Sequence, residues 1–337
     1  MNFKISPIKQ ITSRQISNFA LKTWGEEYSR KVLTEWWISS THAETMVALD
    51  ERLDRIAGIV VGVKSRWSLN DGTVTDTVSI CGWYVSPEYA GQGVGRLLVG
   101  YFIQSTTSQN TIAITENAVE GFRKLGWAGP FRSQIFVMPL PVFRHTMKLN
   151  DGFSLASYRI RGDELPKKLI QELEFIEQTR PKNQIRRLRK IEDLRSHLGV
   201  WPNRIYNFHV LTRVTEPIGF FIIRETDHKA ALLYRITRLS YVTDLVMNQE
   251  DEQSLFYLSK IIGKAAPWNA GGIILCTTCP KISNALPKAG WLSEKSPVIG
   301  KCLLDKAPLY MVGGLLSLEQ QSNIKMTFFD SDVDLNL

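Results

Sequence analysis

The chain lacks any long hydrophobic run. No apolar stretch in its 337 residues approaches the roughly 20 residues that a membrane-spanning helix needs. Its first fifteen residues contain no apolar core of the kind that a secretory signal peptide carries. With 44% hydrophobic and 22% charged residues, the composition is that of a globular protein, and the length predicts two domains. We therefore expect a cytoplasmic protein with no membrane span.

Cysteine is scarce, with four residues in the whole chain. Cys276 and Cys279 have the C-x-x-C spacing of metal and redox sites, but no second pair and no nearby histidine completes a tetrahedral ligand set. Both lie at the end of an apolar segment, which favours buried thiols over metal ligands. Cys81, within another apolar run, has the same interpretation. The sequence therefore predicts no metal site.

Signatures of nucleic-acid recognition are also lacking, although the net charge is +8. No zinc-finger, RRM or KH pattern occurs. The most basic segment, 180–190, reads Arg-Pro-Lys-Asn-Gln-Ile-Arg-Arg-Leu-Arg-Lys, and Ile185, Leu188 and Ile191 recur there at helical spacing. The spacing predicts an amphipathic helix with a solvated basic face. Such a face attracts an anionic substrate or coenzyme rather than nucleic acid.

The sequence does contain a glycine loop between a predicted strand and a predicted helix. Residues 84–98 read Tyr-Val-Ser-Pro-Glu-Tyr-Ala-Gly-Gln-Gly-Val-Gly-Arg-Leu-Leu. The strand stops at Pro87, and the helix begins after the last glycine. Glycines allow a tight turn and a close approach of the backbone to a ligand, while free N–H groups at a helix start bind phosphate oxygens. The arrangement predicts a pyrophosphate site.

Two common pyrophosphate loops do not fit these residues. A Walker A loop needs Lys-Ser or Lys-Thr after its last glycine, and Arg96-Leu97 stands there instead. A dinucleotide fingerprint spaces its glycines as G-x-G-x-x-G and opens a βαβ unit. Here the glycines alternate, and two predicted strands, 45–50 and 56–63, come before the loop.

The segments after the loop identify a family resemblance. Residues 111–115 predict a strand, and 117–127 predict a short helix that ends at Gly126. Loop, strand and helix together resemble the GNAT acyltransferase superfamily over residues 1–140. The resemblance implies that acetyl-CoA or another acyl-CoA is the co-substrate, with its phosphates on the loop and its pantetheine arm on the backbone of the preceding strand. The implied contacts are Trp83, Tyr84, Val85, Gly91, Gln92, Gly93, Val94, Gly95 and Arg96.

The sequence departs from the family pattern at two positions. Ala90 replaces the Arg or Gln that usually leads the loop, so one side-chain contact to the phosphates is missing. Phe122 replaces the Tyr that usually donates a proton to the leaving thiolate, and a phenyl group cannot do so. Because a free thiol has a pKa of about 8.5, its thiolate is a tolerable leaving group without an acid.

Direct attack by an acceptor amine requires a base that removes the ammonium proton. The candidates are Glu116 after the next strand, Asp76 upstream of the loop, and Glu27 in the helical segment that usually lines the acceptor site. Glu26 and His42 are further alternatives, and so is a base that acts through a water molecule. The sequence does not choose among them.

An internal similarity predicts a second copy of the domain. Lys-Leu-Gly-Trp at 124–127 and Lys-Ala-Gly-Trp at 288–291 lie 164 residues apart, and each closes a predicted short helix. The predicted fold class is α/β, with two tandem GNAT-like domains. Each domain is a mixed, mostly antiparallel twisted sheet flanked by helices and splayed at its central parallel pair. The predicted boundaries are 1–140 for the first domain, 141–151 for a linker and 152–337 for the second domain.

The second domain resembles the degenerate half of tandem bacterial GNAT proteins. Asn248–Ser254 replaces the glycine loop, and its carboxylates would repel a pyrophosphate while capping the following helix. These carboxylates are Glu250, Asp251 and Glu252. We therefore expect the first domain alone to bind CoA, with the second binding the acceptor or serving a structural role.

The resemblance implies transfer of an acyl group to an amine, less often a hydroxyl, of a small biosynthetic metabolite such as an amino sugar. Two alternatives stay open. One is an inactive acyl-CoA sensor or partner subunit, and the other is an acyltransferase that acts on a protein or peptide. The oligomeric state is also open, with a homodimer among the alternatives.

Overall fold

A computed structural model describes the chain over residues 3–24, 43–114, 116–140, 152–182, 184–199, 204–232, 235–248, 250–293, 296, 309–318 and 324–325. In chain order, the strands of these residues are β1 (Phe3–Pro7), β2 (Ala43–Asp50), β3 (Arg55–Ser68), β4 (Val74–Val85), β5 (Ser108–Ile114), β6 (Ala128–Arg132), β7 (Gln134–Pro139), β8 (Phe153–Arg161), β9 (Ile185–Arg187), β10 (Ile205–Arg213), β11 (Glu216–Leu232), β12 (Arg235–Met247), β13 (Gly272–Thr277), β14 (Leu292–Ser293), β15 (Leu309–Gly314) and β16 (Ile324–Lys325). The helices are α1 (Ser13–Trp24), α2 (Val94–Ser105), α3 (Glu116–Lys124), α4 (Lys167–Thr179), α5 (Ile191–Gly199), α6 (Glu252–Ala265), α7 (Pro280–Lys288) and α8 (Leu315–Leu318).

These strands form two mixed sheets, which confirms the predicted fold class. The first sheet has the order β1-β2-β3-β4-β5-β15-β6, with β9 and β16 attached beside the end of β3. The second has the order β14-β7-β13-β12-β11-β10-β8. Within each, one central pair is parallel, which is β4–β5 in the first sheet and β12–β13 in the second. The attached strands β9 and β16 also pair parallel, and the other neighbouring strands pair antiparallel. No helix among the described residues is long and apolar enough to cross a membrane.

The two halves exchange a strand. β7, which precedes the predicted linker, lies in the second sheet between β14 and β13, with Cys276 opposite Ile135. β15, from the second half, lies in the first sheet between β5 and β6, with Val312 opposite Asn110. Sheet membership therefore crosses residue 140. The domain boundaries stay a prediction, and residues 141–151 of the predicted linker lie outside the described residues.

Three clusters of buried apolar side chains pack against the faces of the first sheet. One face packs under α2 and α3, where Leu98 and Phe102 contact the sheet. The opposite face packs partly under α1 through Phe19, in a cluster that includes Cys81. Farther along that opposite face, Trp67 of β3 packs in one cluster with residues of the second sheet. The two sheets therefore meet on the face of the first sheet that carries α1.

The basic segment 180–190 does not form the amphipathic helix that its spacing predicts. Residues Ile185–Arg187 form β9, which pairs antiparallel with the end of β3. Arg186 and Arg187 are buried, at 5% and 4% exposure. The prediction of a solvated basic face is therefore wrong. The physical reason is tertiary, because β9 adds to a sheet edge of the other half and both of its sides become covered.

The repeated Gly-Trp segments have the same local structure in both halves. Gly126 (φ 80°) ends α3, and Gly290 (φ 92°) ends α7 in the same left-handed conformation. The next amide in each, that of Trp127 or Trp291, donates a 3.1 Å hydrogen bond to a carbonyl of the last helical turn. At the start of α6, Asp251 accepts a hydrogen bond from the amide of Ser254 at 2.9 Å, so the acidic segment caps that helix as predicted.

Candidate active site

The glycine loop lies open at the carboxyl end of β4. After Val85 the chain makes a short 3-10 turn over Pro87–Tyr89 and reaches Gly91 and Gly93 with φ of 75° and 81°. Only glycine adopts such angles without strain. A Cβ atom at either position would have no neighbour within 4 Å. The loop is therefore not plugged by side chains at Gly91 and Gly93, and these two glycines are needed for backbone conformation rather than for packing.

The loop leads directly into the amino end of a helix. Gly93 is the N-cap of α2, so the amides of Val94, Gly95 and Arg96 have no acceptor within the helix. Such amides, at the positive end of the helix dipole, form an anion site. A groove of about 790 Å³ begins at the loop, and the Arg96 and Lys124 side chains line it. This arrangement suits the phosphates of a nucleotide-bearing coenzyme.

The sheet opens next to this loop. β4 and β5 share three register pairs, of which Ser79 opposite Asn110 is the last, and the two strands then diverge. β4 continues to Val85 through a bulge, where the register with β3 shifts and Gly82 has φ of 56°. The divergence is the splayed central pair that the sequence predicts. It leaves the backbone of Trp83–Val85 beside a V-shaped opening whose mouth carries the glycine loop.

The Trp83 side chain fills the space between the two helices on one side of this opening. A Cβ atom on Gly95 of α2 or on Gly121 of α3 would meet the indole ring at 2.8 Å. The ring also packs edge-on against Phe122, with centroids 4.8 Å apart, and its Nε1 is buried without a hydrogen-bond partner among the described residues. The sequence reasoning used only the backbone of Trp83 and missed this wedge. Gly121 is the signal, because a glycine inside a predicted helix leaves room for a side chain from a neighbouring element.

Phe122 is a core side chain of α3. It is 1% exposed and packs between Trp83 and Trp127, with the latter ring centroid 4.6 Å away. Its position in α3 is therefore occupied by a core side chain. A different phenol, Tyr310 of the exchanged strand β15, lies opposite Ile112 of β5. Burial raises the pKa of Tyr310 to about 12, so this phenol stays neutral and is a weaker acid than an exposed tyrosine.

Buried polar atoms cluster where β4 and β5 part. The side chains of Thr77, Ser79 and Asn110 are 1%, 7% and 0% exposed. Their hydroxyl and amide groups have no hydrogen-bond partner among the described residues. Because side chains alternate across a strand, all three share the face of Cys81, which packs toward α1. Buried polar groups normally find partners, so this cluster indicates a site for a polar ligand.

Sequence reasoning missed Ser79 and Asn110. The available signal was Ser79 between Val78 and Ile80, and Asn110 just before the apolar residues 112–114. The sequence could not place the two side chains together, because the pairing of β4 with β5 spans the whole loop and α2. Only the parallel register brings them opposite each other.

The candidate bases occupy different places. Glu116 is exposed and begins α3, just beyond the end of β5 and thus at the open end of the V. Asp76 is exposed near the start of β4, opposite Arg66 and at the closed end of the V. Glu27 lies outside the described residues, as do Glu26 and His42. Among the described residues, no cluster of three or more His, Cys, Asp or Glu is arranged to hold a metal ion.

Comparison with known proteins adds a family and a set of related folds. Residues 9–127 match the model of the Acetyltransferase (GNAT) family. The chain is similar to a GCN5-related N-acetyltransferase from Anabaena variabilis, with 12% identity, a TM-score of 0.60, and 93% of this chain and 73% of that one covered. It is also similar to a conserved protein of unknown function from Enterococcus faecalis, with 12% identity, a TM-score of 0.57, and coverage of 96% and 74%.

A third similar structure is Saccharomyces cerevisiae N-myristoyltransferase with bound myristoyl-CoA, at 10% identity, a TM-score of 0.50, and coverage of 93% and 71%. At these identities the likeness shows the fold alone. No curated protein matches the chain by sequence.

Proposed function

We propose that the chain transfers an acyl group, in the first instance acetyl, from acyl-CoA to the amine of a small molecule. The match of residues 9–127 to the Acetyltransferase (GNAT) family model supports this proposal. The observation that carries this proposal is the open glycine loop at the mouth of the V between β4 and β5. The loop offers amides to a diphosphate, and the opening offers a path for a pantetheine arm.

The residues proposed to hold the coenzyme follow from this geometry. Gly91–Arg96 would bind the diphosphate through their amides, with Arg96 and Lys124 beside the groove as added positive charge. The backbone of Trp83–Val85 would hydrogen-bond the pantetheine amides. The thioester would then lie inside the V, between β4 and β5. A GNAT domain gains much of its rate by holding donor and acceptor in contact, and this arrangement supplies that positioning.

Proton transfer would use groups other than the family tyrosine. The departing thiolate has a pKa of about 8.5 and can leave unprotonated. Glu116 is the candidate base that lies at the open end of the V, where an acceptor ammonium could reach it directly or through water. If it is the base, Glu116→Gln lowers kcat and removes the acidic limb of the pH–rate profile. Asp76→Asn, at the closed end, is the matched comparison.

The acceptor is proposed to be small and polar. The buried hydroxyls of Thr77 and Ser79 and the amide of Asn110 lie on the face opposite α2 and α3. A hydrogen-bonding acceptor that enters from this face would satisfy them, whereas an apolar one would leave them unpaired. Each unpaired buried group costs about 1–3 kcal/mol, which disfavours apolar acceptors.

Release of free thiol from acetyl-CoA over a panel of amino sugars, polyamines, amino acids and short peptides tests the proposal. We expect thiol release with at least one small amine and a matching acetyl mass increase on that molecule. Gly93→Glu should abolish release, and Gly72→Glu, which changes a comparable open glycine at the other end of β4, should not. CoA binding without thiol release on any acceptor would instead favour a sensor. Mass increase on peptides alone would favour a polypeptide acceptor.

A further inference from the structure

A cavity of about 550 Å³ lies at the junction of the two halves, away from the glycine loop. We call it the junction cavity. Ser68, Gly72 and Val74, at the turn between β3 and β4, form its wall on the side of the first half. The wall on the other side comes from the segment that joins α4, β9 and α5. This is the basic segment that was predicted as a solvated helix, and its arginines turn inward instead.

Two of these arginines share one carboxylate. Arg180 donates from Nη1 to Glu177 Oε2 at 3.0 Å, and Arg186 donates from its own Nη1 to Glu177 Oε1. The side chains of Arg180 and Arg186 are 7% and 5% exposed, and both line the junction cavity. The pair of guanidinium groups therefore meets a single negative charge, which leaves one positive charge in excess.

The same two side chains have unused donors. The Nε–H of Arg180 and that of Arg186 are buried and have no hydrogen-bond partner among the described residues. A guanidinium is protonated at neutral pH, so these donors are present there. Burial, together with Arg186 and Arg189, lowers the pKa of Arg180 to about 10 against the opposing effect of Glu177. The group stays cationic at neutral pH.

The other charges of the cavity do not supply the missing anion. Arg189 donates from Nε to Asp244 Oδ2 at 2.6 Å and from Nη2 to Asp244 Oδ1 at 3.0 Å. The charge of Arg189 is therefore already paired with that of Asp244. Glu192 faces Arg66 of β3 at 3.0 Å. Lys182 and Lys190 are exposed and line the cavity as well, against one remaining carboxylate, that of Glu174. The lining is therefore net positive, and Val74, Leu188 and Ile191 add apolar surface beside it.

We propose that the junction cavity binds a small molecule that carries an oxyanion, either a carboxylate or a phosphate, through the guanidinium groups of Arg180 and Arg186, both of which line it. Planar guanidinium groups match the geometry of both oxyanions. The apolar walls take the body of the ligand. Because both halves contribute to the cavity, the ligand stabilises their junction, and the site is separate from the one proposed for CoA.

Titration calorimetry with inorganic phosphate and with malonate, in sodium chloride of matched ionic strength, tests this proposal. We expect one phosphate or malonate bound per chain and a rise of Tm that chloride does not reproduce. Arg186→Met should weaken binding at least tenfold. Arg195→Met changes an exposed arginine of α5 and is the matched control that should leave affinity unchanged.

The glycine loop also attracts phosphate, so the two sites must be told apart. Binding of the probe should survive saturating CoA and should survive Gly93→Glu. Loss of binding in either case would assign the probe to the glycine loop and overturn the proposal. The two probes also distinguish the two kinds of oxyanion. Tighter binding of malonate indicates a ligand with a carboxylate, and tighter binding of phosphate indicates a phosphorylated ligand.

A second variant tests the proposal in case Arg186→Met does not fold. If circular dichroism shows that Arg186→Met does not fold, the double variant Lys182→Gln, Lys190→Gln removes two exposed cations of the lining without touching a buried group. It should weaken binding about threefold to tenfold. Binding of neither probe by the wild-type chain, or unchanged affinity in a folded Arg186→Met or in the double lysine variant, would refute the proposal.

Discussion

Replacing Gly93 by glutamate should abolish CoA binding and leave the chain folded. Gly93 has φ of 81°, and a Cβ atom built on it would meet nothing within 4 Å. The folding cost is therefore backbone strain alone, about 1–2 kcal/mol for a non-glycine residue in the left-handed region. Most domains tolerate a loss of this size.

The cost to binding is larger because the new carboxylate would stand at the anion site. Two unit charges about 4 Å apart repel by roughly 4 kcal/mol at the effective dielectric constant of a protein surface. A tenfold change in affinity corresponds to about 1.4 kcal/mol, so we expect CoA to bind about a thousandfold more weakly. Gly93→Gln carries the same backbone strain without the charge. The difference in affinity between these two variants isolates the electrostatic contribution.

Isothermal titration calorimetry with CoA measures the affinity, and thermal unfolding checks the fold. Gly72→Glu is the matched control, since Gly72 has φ of 83° and equally open surroundings at the far end of the 12-residue β4. That strand spans about 40 Å, several Debye lengths at 0.1 M salt. Unchanged CoA affinity in a folded Gly93→Glu variant, or equal losses in Gly93→Glu and Gly72→Glu, would refute the assignment of the loop.

Three further predictions follow from single side chains. Gly121→Ala should lower the free energy of unfolding by about 1–3 kcal/mol, because the new Cβ atom meets Trp83 at 2.8 Å. A Gly→Ala change inside a helix usually stabilises instead. Stabilisation of this variant, or no recovery of stability when Trp83→Phe is added, would contradict the packing of Trp83 between the helices. Asn110→Leu should raise the free energy of unfolding by about 1–2 kcal/mol, because it removes a buried amide that has no partner among the described residues. The same variant should lower kcat/KM for acyl transfer. Destabilisation with unchanged kinetics would count against a ligand-binding role. Burial lowers the pKa of His209 to about 4 from 6.5, so the unfolded chain takes up a proton first as the pH falls. The free energy of unfolding should therefore fall by about 3 kcal/mol between pH 6.5 and pH 4, which urea unfolding across that range measures. A His209→Gln variant with the same pH dependence would refute this prediction.

Much of the first half could be predicted because its signals are local. The alternate glycines require positive φ at Gly91 and Gly93 whatever the rest of the chain does, and a helix start after them exposes amides in any fold. The Gly-Trp caps at 126 and 290 are local in the same sense, which is why a four-residue similarity predicted equivalent helix ends. The family match covers residues 9–127, which include the glycine loop.

The basic segment shows where local reading fails. Spacing of three residues between Ile185, Leu188 and Ile191 is compatible with a helix, and nothing in the segment indicates a partner strand. Its β-structure exists because the end of β3, more than 100 residues earlier, offers an edge to pair with. Burial of Arg180 and Arg186 depends on Glu177 of α4 and on the turn of the other half, which the sequence does not place next to them.

The amino-acid sequence by itself determined the glycine loop, the helix that follows it, the capping of both repeats and the loss of the family tyrosine at Phe122, because each depends on residues close together in the chain. Tertiary structure alone decided the exchange of β7 and β15, the Trp83 wedge, the meeting of Ser79 with Asn110 and the inward turn of the arginines. These features depend on which strand edges and helix faces meet across long stretches of chain. The pairing of these edges and faces is determined by the free energy of the whole fold rather than by any one segment.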